Sequence, residues 1–135
     1  MANSDQLTIL RQGVQVWNRW RTDHVFQSVD LTHADLSEMD LRGVNLNDVD
    51  LSYALLRGAD LRGAWISASD AVGTDFSDAD LREACLGNSW LKGASFRGAC
   101  LVDADLEGCD LENVAVEGAD LTGANLFDTV LYKPQ

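Results

Sequence analysis

Carboxylates outnumber every other side chain here that could do chemistry: 22 Asp and Glu in 135 residues, against two His and three Cys. Carboxylates serve as general acids or bases when a cleft shifts their pKa, and as metal ligands when His or Cys joins them at ligand spacing. This sequence offers neither arrangement. His24 and His33 lie at no ligand spacing with a cysteine, and the serines have no histidine in a matching register. Cys85, Cys100 and Cys109 are odd in number and none stacks on another in the register below, so they read as reduced thiols rather than a disulfide framework. The glycines recur at fixed intervals instead of forming a phosphate-cradling loop. The expectation is a chain with no catalytic residue, no cofactor and no metal, which is not an enzyme.

The carboxylates carry charge instead. Ten Lys and Arg against 22 acids leave a net charge of -12. Residues 1–24 hold Arg11, Arg19 and Arg21 against Asp5 and Asp23, a sum of +1, so the remainder carries -13. A surface of that sign repels phosphate, which argues against direct nucleic-acid binding and for a basic partner. No apolar run approaches the roughly 20 residues needed to span a bilayer. The start MANSDQ lacks a basic stretch followed by an apolar one. No membrane partner is therefore expected, and the cytoplasm is the expected location.

The elements that position these charges follow from a period of five. Every position from 26 to 131 ending in 1 or 6 is apolar, 22 in all: 16 Leu, Phe26, Phe76, Phe96, Ile66, Val116 and the small Ala71. Two residues before each sits a small side chain, most often Ala. Between them stands Asp 11 times and Asn twice. Ala59-Asp60-Leu61-Arg62-Gly63 shows the unit. Steps of five advance about 140° on an α-helix, which scatters the leucines around its surface. On a straight strand an odd step throws successive leucines to opposite faces. The chain must turn once per repeat, with the Ala and Leu positions inward, the Asp outward, and a permissive Gly favoured at the corner.

This A(D/N)LxG pattern resembles the pentapeptide-repeat family. The resemblance implies an all-β solenoid, a right-handed quadrilateral β-helix with one repeat per side. Four units per coil make 22 units about 5.5 coils, a rod on the order of 25 Å long at about 4.8 Å per coil. The expected organisation is an amphipathic capping helix in residues 1–24 and a β-helix in 25–135, together one structural domain. Across Asp5 to Arg21, Leu7, Ile9, Leu10, Val14, Val16, Trp17 and Trp20 share one half of a helix, and Trp17-Asn18-Arg19-Trp20-Arg21 resembles segments ahead of other bacterial, notably cyanobacterial, members. A solenoid needs such a cap over its open end. At the other end Phe127, Val130 and Tyr132 take outward positions. They either fold over the last coil as a lid or form a dimer contact; the resemblance implies homodimers through the C-terminal coil.

Two surface patterns stand out. Asp40/Arg42, Asp60/Arg62 and Asp80/Arg82 stack on one side and read as a solvated stripe of weak ion pairs. Between Arg97 and Lys133, Asp103, Asp105, Glu107, Asp110, Glu112, Glu117, Asp120 and Asp128 occur without a single base. The first seven are the candidate docking site for a protein partner with a basic surface. The alternative, carried by the resemblance, is a DNA-mimicking regulator of DNA gyrase or another basic nucleic-acid-binding protein. Trp65, Trp90 and Leu55 occupy outward positions where Asp is usual; they mark a contact patch or fold down locally.

Overall fold

The computed structural model describes residues 1–131. Its ladder begins with β1 (Val29–Asp30) and β2 (Val49–Asp50), which pair in parallel with Val29 opposite Val49. Single parallel bridges then recur every five residues, each joining a residue to the one 20 positions on, from Asp35–Leu55 to Asp110–Val130. Four bridges per 20 residues give each turn of the chain four sides. The chain is a β-helix whose strands are reduced to one or two residues per side.

Each side is built alike. The Leu36 amide donates to the Leu55 carbonyl at 2.7 Å, and the Leu55 amide donates back to Ala34 at 2.8 Å. The corner closes through a turn bond, as from the Ala59 amide to the Leu56 carbonyl at 3.1 Å. The outward Asp locks the same turn: Oδ1 of Asp50 accepts the Ser52 amide at 3.1 Å, and Oδ1 of Asp120 accepts that of Thr122 at 3.0 Å. This bond is a physical reason for Asp or Asn at that position, independent of any partner. The next residue takes a left-handed backbone, at φ 66 in Gly63 and φ 60 in Tyr53.

Inward Leu and Ala positions from Leu31 to Leu106 are buried, with Phe76 and Phe96 stacked at 4.9 Å and nearly parallel. The column Val49, Ser69, Ser89 and Cys109 also lies inside. Its buried hydroxyls find backbone carbonyls, Ser69 donating to Leu46 and Ser89 to Ile66.

Two expectations need correction. The N-terminal segment is not one helix but two, α1 (Ser4–Arg11) and α2 (Val14–Asp23). They part at Gly13, whose φ of 118 no helix accommodates; the continuous apolar stripe hid the break. Of that stripe Leu10 and Trp17 are fully buried, while Val16 is exposed. Phe26 matches the repeat register yet lies fully exposed, because residues 24–26 form the turn out of α2 and the ladder starts only at Val29.

The helices meet the first coil's open edge with side-chain substitutes for a missing strand. The Gln6 carboxamide donates to the Ser28 carbonyl and accepts the Asp30 amide, each at 2.9 Å. Asn18 likewise donates to Gly43 at 3.0 Å and accepts the Asn45 amide at 2.8 Å. Trp17 Nε1 donates to the Asn45 carbonyl, and Arg21 to Asn47. At the far end of the described residues Val116, Leu126 and Leu131 hold inward register but are exposed.

Candidate protein-interaction surface

The 20-residue register distributes the acidic block around the rod rather than on one face. Asp105 and Glu107 lie on the side carrying Trp65 and Cys85, Asp110 and Glu112 on the next, Glu117 on the third, and Asp120 beside Asp103 on the fourth. Together they ring the last coils. Two are answered by bases one coil earlier that the sequence run did not include: Glu117 meets Arg97 at 3.0 Å and Glu112 meets Lys92 at 3.6 Å. Glu117 is held below the usual carboxylate range by its own backbone amide and then by Arg97. Asp105 and Glu107 share the Asn125 amide group. Asp103, Asp105, Glu107, Asp110 and Asp120 have no basic partner among the described residues. Asp105, Asp110 and Asp120 each use one oxygen to lock their own turn, and the other has no hydrogen-bond partner among the described residues. The hydroxyl and amide of Thr122 depress the Asp120 pKa.

The opposite pattern governs the arginine stripe. Arg42 grips Asp40 with Nε at 2.8 Å and Nη2 at 2.7 Å, and Arg62 and Arg82 repeat the fork on Asp60 and Asp80. Arg42 and Arg62 also approach the next coil's aspartate at 3.7 Å. The guanidinium of Arg42 brings the Asp40 pKa down to about 2. These charges satisfy one another and offer little to a partner.

Trp65 and Trp90 point outward and stand 51% and 55% exposed. Phe127 and Val130 are exposed too, on the outer rim of the last coil, while Tyr132, the third residue of that group, lies outside the described residues. Neither Phe127 nor Val130 lines the opening at the end of the rod. That opening is walled by apolar side chains, among them Leu111, Val114, Val116, Leu121, Leu126 and Leu131.

A profile described as Pentapeptide repeats matches the sequence in eight copies, over residues 25–63, 66–98 and 99–129. The chain belongs to the pentapeptide-repeat family. Among solved structures, a pentapeptide-repeat protein of the Arabidopsis thaliana thylakoid lumen aligns at 31% identity and TM-score 0.58, covering 77% of this chain and 69% of that one. HetL, a pentapeptide-repeat protein of the cyanobacterium Nostoc described as involved in heterocyst differentiation regulation, aligns at 30% identity with TM-score 0.39, covering 77% of this chain and 60% of its own. QnrB1, described as a plasmid-mediated fluoroquinolone resistance protein, reaches 19% identity and TM-score 0.39 over 78% of this chain and 80% of its own, a likeness that carries no weight for function. Comparison with curated proteins finds no match. As in the rest of the pentapeptide-repeat family, the fold is a structural scaffold, and function must be sought in what its outer positions present.

Proposed function

We propose that this pentapeptide-repeat rod is a non-enzymatic interaction module that docks a basic protein surface through the carboxylates ringing its last coils. The carrying observation is that Asp103, Asp105, Glu107, Asp110 and Asp120 stand near one end without a base among the described residues. Like charges gathered around one end of the rod repel, and a cationic partner relieves that repulsion. The helices of residues 1–24 act as the cap over the first coil, and the ladder from Val29 onward forms the right-handed rod. Three free thiols support a cytoplasmic location. Among the described residues no helix is long and apolar enough to cross a membrane.

The test is affinity capture at low and high salt, beside a variant carrying Asp103→Asn, Asp105→Asn, Glu107→Gln, Asp110→Asn and Asp120→Asn. Basic proteins are expected to bind the native rod, to leave it as salt rises, and to ignore the variant. Capture indifferent to both salt and substitution defeats the reading.

A second reading concerns the apolar opening, which favours a homodimer formed end to end with Phe127 and Val130 at its rim. Sedimentation at high concentration is expected to show a dimer that Leu126→Glu converts to monomer. A native chain that stays monomeric excludes it.

A further inference from the structure

Trp90 interrupts a run of aspartates in its column. Its neighbours at 20-residue steps are Asp30, Asp50, Asp70 and Asp110, and in each the side-chain oxygen accepts the amide two residues on, from Thr32, Ser52, Val72 and Glu112. An indole accepts no hydrogen bond. Tryptophan therefore forfeits a turn bond made by every aspartate in its column, and leaves more than half of a large apolar side chain in water. The fold gains nothing by this, so the fold does not explain it.

The surroundings of Trp90 define what would fit. Asp70 bridges to it directly on one side and Asp110 on the other, each about 4.8 Å away along the stack. Each of those carboxylates spends one oxygen on its own turn, and neither has a basic partner among the described residues. The one base on the same side near Trp90, Lys92, is drawn off to Glu112 at 3.6 Å. An exposed indole with a carboxylate in the coil before it and another in the coil after it is an arrangement that selects a cation: the ring quadrupole attracts the charge and the carboxylates pair with it. A planar guanidinium suits the indole best because it stacks while its edges donate to both flanking oxygens.

We infer that Trp90, with Asp70 and Asp110, forms a recognition site for an arginine side chain of the partner protein. The inference rests on the docking reading above and deepens it, because it places an anchor mid-rod, where the ring of carboxylates begins.

The experiment follows the Trp90 indole N–H resonance by NMR while the folded chain is titrated with a capped tetra-arginine peptide, and with tetralysine and tetraserine for comparison. Tetra-arginine is expected to shift that resonance at concentrations where tetraserine does nothing, with tetralysine weaker than tetra-arginine. Trp90→Asp, whose binding is followed instead through the backbone amide resonances of Asp70 and Asp110, restores the column's turn bond and adds a negative charge, so it should fold at least as well as the native chain. Binding that nevertheless weakens about tenfold or more identifies the ring rather than net charge as the determinant. Asp70→Asn with Asp110→Asn keeps both turn bonds, since the carboxamide oxygen accepts the same amide, and should weaken tetra-arginine similarly. Equal affinity in Trp90→Asp overturns the site. If that peptide is instead released by the Asp103→Asn and Glu107→Gln substitutions, the docking reading survives without it. No binding of either basic peptide to the native rod overturns both.

Discussion

The Ser69 hydroxyl accepts a hydrogen bond from the Val49 amide of the preceding coil at 3.2 Å and donates one to the Leu46 carbonyl at 2.6 Å. Elsewhere the equivalent amide and carbonyl bond directly across the corner, as Ala54 does to Leu51 at 2.9 Å. Among the described residues that direct bond is missing at Val49 and again at Ser69, where Ser89 Oγ takes the amide at 3.0 Å and donates to the Ile66 carbonyl. Two opened corners are thus each bridged by the hydroxyl stacked above. Ser69→Ala leaves one buried donor and one buried acceptor without partners, so its unfolding free energy should fall by about 1–3 kcal/mol in urea. An unchanged midpoint would mean the Val49 corner closes on itself once the hydroxyl is gone.

Glycine at the corners has a cause beyond backbone freedom. Gly98 adopts φ +69, and a Cβ placed there would collide with Oδ1 of Asp78 in the coil before it. Gly63 has nearly the same backbone, φ +66, with nothing near the added carbon. Gly63→Ala should therefore cost only the left-handed backbone penalty of about 1–2 kcal/mol, and Gly98→Ala more. Adding Asp78→Ala should bring the Gly98→Ala cost down to that of Gly63→Ala. A double-mutant cycle showing no coupling between positions 78 and 98 would refute the steric account.

The five-residue period made the inward Leu column, the outward Asp column and the 20-residue register legible, because burial forces one side-chain type into one position at every turn. What escaped depended on single residues rather than on period. Gly13 sits within an unbroken apolar stripe, so the stripe reads as one helix although the backbone bends there. Phe26 has the right type and spacing but no coil around it. The seven acids read as one block in sequence, yet winding spreads them over four sides and brings Arg97 and Lys92 from one coil earlier to two of them. Charge along a solenoid is judged at steps of 20, not along the chain.

Burial along the rod is uneven in a way that thermodynamics can read. Leu81 is wholly buried mid-rod, whereas Leu126 shares its inward register but is 43% exposed at the open end. Leu81→Ala should cost about 2–5 kcal/mol through lost burial and the cavity left behind. Leu126→Ala should cost much less in a monomer, since fewer contacts are lost. Equal losses at low protein concentration would contradict the open end.

Acid should unfold the rod through its aspartates. Arg42 draws the Asp40 pKa from its ordinary 3.8 to about 2, and Asp60 and Asp80 are lowered first by their own arginines. Turn amides and hydroxyls lower Asp30, Asp35 and Asp120 further along the stack. A carboxyl whose folded pKa lies below its unfolded one stabilises the fold above the unfolded value and ceases to do so as pH falls through the folded value. Chemical-denaturation midpoints should accordingly hold steady from neutrality to about pH 4 and then decline toward pH 2. Asp40→Asn keeps the turn oxygen but has no proton to bind, so it should flatten part of that decline while lowering stability near neutral pH. A native midpoint independent of pH across this window, or a decline no shallower in Asp40→Asn, would show that the aspartate–arginine forks add nothing to the folded state.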